Sequence, residues 1–480
     1  MVSNNTPSDS HRASRRSFLG ALGLAAGTGL AGLGSATPGR GRGRSEDTVV
    51  DGLNEYAVPV ASEGEVPMNE LVPVANRVAP PGTVGTAASA DERTGATVVA
   101  GRLSEFPVVG LGESTHGTHE FHAIRRRIVQ QLVSEYDLRV VAFEARFSEM
   151  VALNDYVVHG EGSFDAMPAG IWRTAEVRRL VEWLREFNRG RPREDRVEVH
   201  GVDMQGSADA ASALLSYLDD VGAAGLEHER DVLTTLAEST LGYFFEGRSP
   251  SQSRIDTVRE IVAPIRERLT NRRDSYVAAT SEYAWQFARR HLRTLEQALE
   301  WLEARMEGFW TGWETRDEFM AENTTWLHDT LHSDQVVVWG HNNHVKTGWY
   351  LDFAPAMGNV LAETHGEGYY SLGFDFGTGT FSARVRGDPD ERTPTIEEPI
   401  AEGSALLNEV DHDQYFVDFA AASEHEAVAE WIDQEQKLHA SGFLFLPNNP
   451  ADDYHLEDSF DGLVSIRTST PTTTVPMGEQ

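Results

Sequence analysis

The 480-residue chain is 40% hydrophobic and carries 75 Asp and Glu against 41 Lys and Arg, a formal net charge of −34. That is apolar material for a large core and up to about three domains, and acids spread along the whole chain exclude a nucleic-acid-binding surface. The absence of cysteine removes disulfides, thiolate metal sites and a Cys nucleophile, so chemistry must come from His, carboxylates, hydroxyls or a bound metal.

The N-terminus opens with Ser14-Arg15-Arg16-Ser17-Phe18-Leu19 and a weakly apolar Gly/Ala/Leu run from Gly20 to Gly34, followed by the small residues Ser35-Ala36. This pattern predicts a twin-arginine signal peptide over residues 1–36. It implies export to the cell surface or exterior, with no stable membrane span after cleavage. Residues 37–65 hold Gly39-Arg40-Gly41-Arg42-Gly43-Arg44 and then acidic and small residues, and read as a disordered linker. A catalytic domain is expected over residues 66–480.

Five short β-branched runs follow: Pro107–Gly112, Arg139–Glu144, Val197–Asp203, Gln335–His341 and Tyr370–Phe376. Helical patterns separate them over Glu120–Tyr136, Thr174–Asn188, Ala208–Val221 and a long amphipathic set from Ser253 to Leu331. Alternation of this kind predicts an α/β fold, a mostly parallel central sheet with flanking helices. Residues 206–330 lack a convincing strand and are expected as a helical insertion, a lid over the active-site edge. The tail from 384 to 480 mixes acidic loops with apolar pieces such as Tyr415–Phe419, whose order the pattern does not fix.

The polar residues fall where the strands stop. Glu113, Glu144, Asp203, His341 with His344, and Asp375 close the five runs. In a parallel sheet these ends share one edge, the usual place for ligands, so they should converge on one cleft with His116. The segment Gly112-Glu113-Ser114-Thr115-His116-Gly117 lacks the second glycine of a Gly-x-Ser-x-Gly nucleophile elbow, which argues against Ser114 as nucleophile. His116, as a general base acting on water, needs a neighbouring carboxylate to fix its tautomer. Arg125 lies about two and a half helical turns further on and has the reach to return to the cleft.

These residues resemble the erythromycin esterase family over roughly residues 68–380. The likeness is carried by Gly112-Glu113-x-x-His116-Gly117 with Glu120-Phe121 and Arg125, by Ala142-Phe143-Glu144, by Trp172, Glu176, Trp183-Leu184 and Asn188 before Gly201-x-Asp203, by Arg316-Asp317-x-x-Met320-x-x-Asn323 and by Trp339-x-His341-Asn342-x-His344. The resemblance implies an esterase that opens a macrolactone, an antibiotic-inactivating reaction, without a serine nucleophile. It implies a base at His116, with Glu113, Glu144, Arg125 and His341 around it. His344, Arg316 and Asp203 are expected to bind substrate, a small ester or lactone, and no metal or other cofactor is expected.

Two other readings stay open. His116, Glu144, His341 and His344 are ligand types for Zn²⁺ or Mn²⁺, which would make the chain a metal-dependent hydrolase or a metal- or haem-binding protein of a related fold. Against this, His119-Glu120-Phe121-His122 is one residue short of H-E-x-x-H, and Asp411-His412-Asp413 reads as a hydrated loop. A ligand-binding protein without turnover is the third reading, opposed by the joint presence of Glu113, His116 and Glu144. Tyr283, Trp285, Phe287, Trp301, Phe309, Trp310 and Trp313 would shape the pocket from the helical insertion, more as its core than as ligand contacts.

The acidic, lysine-poor, cysteine-free composition resembles that of proteins from a halophilic archaeon. A charge of −34 repels itself in dilute buffer, where the screening length is about 30 Å at 0.01 M and only about 3 Å at 1 M. The thermal midpoint should therefore rise steeply with KCl towards molar concentrations; a midpoint insensitive to KCl would contradict the halophile reading.

Overall fold

A computed structural model of the chain describes residues 44–61, 95–238, 251–331, 333–350, 353–388, 390–442 and 444–478. The signal-peptide expectation lies outside them.

Among the described residues nine strands form one sheet: β1 (Val58–Pro59), β2 (Val108–Leu111), β3 (Val140–Arg146), β4 (Glu198–Asp203), β5 (Val336–Trp339), β6 (Tyr369–Thr380), β7 (Thr395–Ile396), β8 (Gln414–Asp418) and β9 (Gly462–Ser469). Their order is β1-β8-β9-β6-β2-β5-β3-β4, with β7 attached to β6. The run from β9 to β4 is parallel throughout, whereas the pairings β9/β8, β8/β1 and β6/β7 are antiparallel. All five strands expected from the sequence are present in the parallel part.

The buried strands alternate their side chains between two helical layers, as a two-residue repeat requires. Val109, Leu111, Val141, Phe143, Val337 and Trp339 face a core shared with α2 (Gly95–Leu103), α3 (His119–Glu135), α4 (Val151–His159) and α5 (Ala175–Asn188). Val108, Val140, Ala142, Val336 and Val338 face the opposite core. That core is built by α6 (Ser207–Asp220), α7 (Glu227–Glu238), α8 (Gln252–Asn271), α9 (Arg273–Ala279), α10 (Glu282–Glu307), α11 (Phe309–Thr330) and α13 (Met357–His365). The long helical segment therefore covers one face of the sheet, and α11 carries residues of its N-terminal half to the carboxyl edge. Side-chain oxygens of Thr174 and Ser281 cap α5 and α10 by accepting the Val177 and Ala284 N–H groups.

The strand order creates the crevice. From β2 the chain crosses to β3 and β4, returns to fill the gap with β5, then lays β6 on the far side of β2. After β2 it enters α3 on one face; after β5 it passes through α12 (Asn342–Val345) into α13 on the other. Neighbouring strands whose connections leave to opposite faces form the switch point at which open parallel sheets bind ligands.

Two parts of the chain differ from expectation. Within the residues expected as a linker, Arg44–Tyr56 forms α1, with Val49, Val50 and Leu53 buried against tail residues such as Val417 and Val428, while Val58–Pro59 pairs with Tyr415–Phe416. The helical spacing of those apolar residues outweighs the acidic composition that suggested disorder. The tail, moreover, places β9 inside the sheet, parallel to β6 from Gly462 to Ser469.

Asp375 does not reach the cleft. β6 runs on to Thr380, and Asp375, opposite Ser465, is sealed in, so that burial pushes its carboxyl up to about 7. A raised carboxyl favours folding in its neutral form: that stability is complete below the unfolded value of 3.8 and declines as pH rises towards 7. Asp375→Asn, neutral at every pH, should raise the urea midpoint at about pH 8 and change it far less at about pH 4. An equal effect at both pH values would refute this.

Candidate active site

The loop between β2 and α3 holds a buried ion network. Glu113 is fully buried and its Oε1 lies 2.5 Å from His116 Nδ1, while Oε2 accepts from Arg125 Nη2. Burial opposes the charge on Glu113, but Arg125, His116 and His122 outweigh it and hold the carboxyl at about 2. His122 donates from Nε2 to the His116 carbonyl at 3.0 Å and accepts from Arg125 at Nδ1, an arrangement for a neutral ring. Burial and Arg125 lower its pKa to about 4, in agreement. Arg125 is fully buried beneath Glu113, its guanidinium 4.6 Å from the centre of the Trp339 ring. It supports the dyad from below and does not return to the cleft.

With Nδ1 facing Glu113, His116 carries no hydrogen bond at Nε2 among the described residues, and the side chain keeps 9% exposure. That is the state a base requires: one nitrogen oriented, the other available. Gly117 makes the turn possible, because a Cβ there would sit 1.8 Å from the Ser382 carbonyl oxygen. The tail then clamps the start of α3: the His119 N–H donates to the Thr470 carbonyl, while Glu120 accepts from the Thr470 N–H and hydroxyl.

A second network surrounds Glu144. The β3/β4 register passes from Phe143↔Gly201 to Arg146↔Asp203, so Glu144 and Ala145 together oppose Val202, a bulge that redirects a strand-end side chain. Glu144 Oε1 lies 2.9 Å from Arg316 Nη2 and 3.2 Å from His344 Nε2, while Oε2 accepts from the His341 N–H at 3.0 Å. Arg316 also donates to Asp203 from Nε and Nη2, at 3.0 and 2.8 Å. His344 donates from Nδ1 to the buried Asp317, which also accepts the Met357 N–H. Burial works against a charged His344, but Asp317 and Glu144 prevail and raise it to about 9.

His341 joins the two networks. Its ring lies 5.3 Å from that of His116; Nε2 donates to the Ser114 carbonyl at 3.2 Å and Nδ1 accepts the Asn343 N–H at 3.2 Å. Both nitrogens are spent on the backbone, and burial lowers its pKa to about 3. Ser114 is itself fully buried, with no hydrogen-bond partner for its hydroxyl among the described residues. The structure thus brings together Glu113, His116, Arg125 and His341, and beside them Glu144, Asp203, Arg316 and His344.

Sequence reasoning assigned no role to His122 or Asp317. Asp317 had a signal in its position beside Arg316, within Arg316-Asp317-x-x-Met320-x-x-Asn323. The tail residues Ser441 and Gly442, whose backbone meets Ser114 and His116, had none. The aromatic set divides: Tyr283, Trp285, Phe287 and Trp301 belong to or pack on the helical core, whereas Trp313 stacks on His344 at 5.0 Å, with Phe309 and Trp310 beside it. Trp172 closes the His116 side, edge-on at 6.0 Å, and donates to the Glu144 carbonyl.

A family model described as erythromycin esterase matches residues 133–469. The chain belongs to the erythromycin esterase family. The match starts beyond the His116 loop and extends through β9, so the tail belongs to the family's fold. YbfO of Bacillus subtilis (strain 168), named as a hydrolase, is 24% identical over 76% of this chain and 84% of its own length. An erythromycin esterase type II of Escherichia coli is 24% identical over 56% and 69% respectively. Among solved structures, a Bacillus cereus protein aligns at a TM-score of 0.74 and 22% identity, over 90% of this chain and 99% of its own. A mutant erythromycin esterase in its open conformation aligns at 0.55 and 14% identity, over 80% and 95%. Family membership and these names point to a hydrolase acting on a small molecule. No helix among the described residues is long and apolar enough to cross a membrane.

His344 is raised above its unfolded value of 6.5 to about 9. Its ion pairing therefore contributes fully below about pH 6.5 and is lost as pH rises through 9. Urea stability should decline from about pH 7 to about pH 10, and His344→Gln should flatten that decline; an unchanged slope would refute the assignment. Arg316→Ala, which removes the buried cation shared by Glu144 and Asp203, should cost about 3–5 kcal/mol in the same measurement.

Proposed function

We propose that the chain hydrolyses a carboxylic ester or lactone with His116 as general base and water as nucleophile. The observation that carries this reading is His116 itself, its Nδ1 fixed by Glu113 and its Nε2 without a hydrogen bond among the described residues. Nε2 takes a proton from water as the hydroxide oxygen bonds to the carbonyl carbon. Glu113, held ionised, stabilises the imidazolium. As the tetrahedral intermediate collapses, the same proton passes to the departing alkoxide, giving acid and alcohol. Base catalysis supplies about 10²–10⁴-fold, so charge stabilisation of the oxyanion must contribute too. We assign that role to Arg316 and His344, the cations of the neighbouring Glu144 network, while Arg125 and His341 act by positioning Glu113 and the loop. The two erythromycin esterases among the similar proteins support an ester-type substrate at the level of class.

The metal reading rests on the imidazoles around Glu144. It requires His341 to give up a backbone hydrogen bond, since both its nitrogens are engaged. Treatment with EDTA in high salt separates the two: activity retained fits the His116 mechanism, and activity abolished by EDTA and restored by Zn²⁺ or Mn²⁺ fits a metal.

On a substrate drawn from a panel of esters and lactones, erythromycin included, His116→Ala should lose at least about 10²-fold in kcat, whereas Ser114→Ala should retain most activity. No burst of product or trapped acyl-enzyme should appear on rapid quenching. An inactive Ser114→Ala beside an active His116→Ala, both folded by circular dichroism, would overturn the mechanism.

A further inference from the structure

We infer that a second cavity, remote from His116, binds a small molecule through a carboxylate or phosphate head. It encloses about 300 Å³ where α4 and α5 end, and its walls include His159, Gly160, Arg185, Asn188, Arg189 and Arg196. Arg196 lies just before β4, whereas the Glu144 network adjoins Asp203 at the end of that strand, so the cavity opens at the opposite end of the sheet.

Its charge is unusual for this molecule. The chain has a net charge of −34, yet three arginines and a histidine line the cavity and no Asp or Glu does. Many other guanidinium groups sit on carboxylates, among them Arg102 on Asp418 at 2.8 Å, Arg146 on Glu149 at 2.6 Å and Arg316 on Asp203 at 2.8 Å. Arg196 has no such partner among the described residues. It donates from Nε and Nη1 to the Arg191 and Val158 carbonyls, both at 2.8 Å. Arg185 lies over the Tyr156 ring at 4.8 Å, its nearest carboxylate is Glu182 at 3.9 Å, and its Nε is buried without a hydrogen bond. Of the three, Arg189 alone is closely paired, with Glu186.

The carbonyls at the end of α4 would oppose an anion, but they are already engaged. Asn188 Nδ2 donates to the Val157 carbonyl at 3.0 Å and Arg196 to that of Val158. What remains on one concave wall is the Arg185 guanidinium, with no hydrogen bond at Nε, and the Nη2 of Arg196, which has no hydrogen-bond partner among the described residues, donors that suit the paired oxygens of a carboxylate or phosphate. The volume is at the small end of the range of about 300–1,000 Å³ usual for ligand pockets, so the occupant is a small molecule.

Isothermal titration of the full chain with inorganic phosphate and with malonate, at fixed ionic strength in KCl, tests this and separates the two head groups. One of the anions should bind saturably, at one site, in excess chloride. Arg185→Gln should weaken that binding at least about tenfold, from loss of charge-assisted hydrogen bonds, and leave circular dichroism and ester hydrolysis unchanged. Arg185→Lys, which keeps the charge and loses the fork, should also bind more weakly, and it decides the question if Arg185→Gln fails to fold. Heats equal to a chloride-matched blank for both anions, or full affinity in the folded Arg185 variants, would overturn the proposal.

Discussion

The arrangement of the cleft depends on one buried carboxylate. Glu113 has no exposure and cannot remain ionised there without compensation. Arg125 supplies a charge from within the helical layer, His116 shares the other oxygen, and His122 sets the orientation of Arg125. Each member constrains the next. Arg125 needs the first turns of α3 to begin at His119, which needs the Gly117 turn, which needs the backbone of Ser382 and Thr472 packed against it. A local network in the β2–α3 loop thereby depends on residues far along the chain.

The same logic governs the second network but with the opposite balance. Around Arg316 lie Glu144 and Asp203, and His344 is held between Glu144 and Asp317. Three carboxylates against one guanidinium leave an excess of negative charge that a protonated His344 reduces, which is why this imidazole is raised while the neighbouring His341 and His122 are lowered. Four histidines within one cleft thus divide into distinct chemical states. Of these four, His116 pairs with a carboxylate at one nitrogen and has no hydrogen bond at the other among the described residues.

The parallel part of the sheet was legible because buried strands such as Val336-Val337-Val338-Trp339 can hardly be anything else once helices flank them. Convergence of Glu113, Glu144, Asp203, His341 and His344 followed from the sheet being parallel, and the structure realises it. Asp375 broke the rule because β6 is longer than its hydrophobic run, so a carboxylate that looked terminal is internal. Arg125 was placed on the correct helix but could not be assigned to the buried side without the position of Glu113. The helix over Arg44–Tyr56 and the entry of β9 beside β6 were not legible, since both are stabilised by contacts between segments far apart in the chain, and composition carries no record of such contacts.

Sorting of charge between surface and interior has a consequence for chemistry. The dense acidic coat creates a negative potential that repels anionic substrates at low salt, yet at about 1 M salt it is screened within about 3 Å and no longer acts at a distance. Inside the cleft the balance is local, with Glu113 and Glu144 already paired to buried cations. Under the proposed mechanism, a neutral ester would meet no net penalty from the surface in concentrated salt.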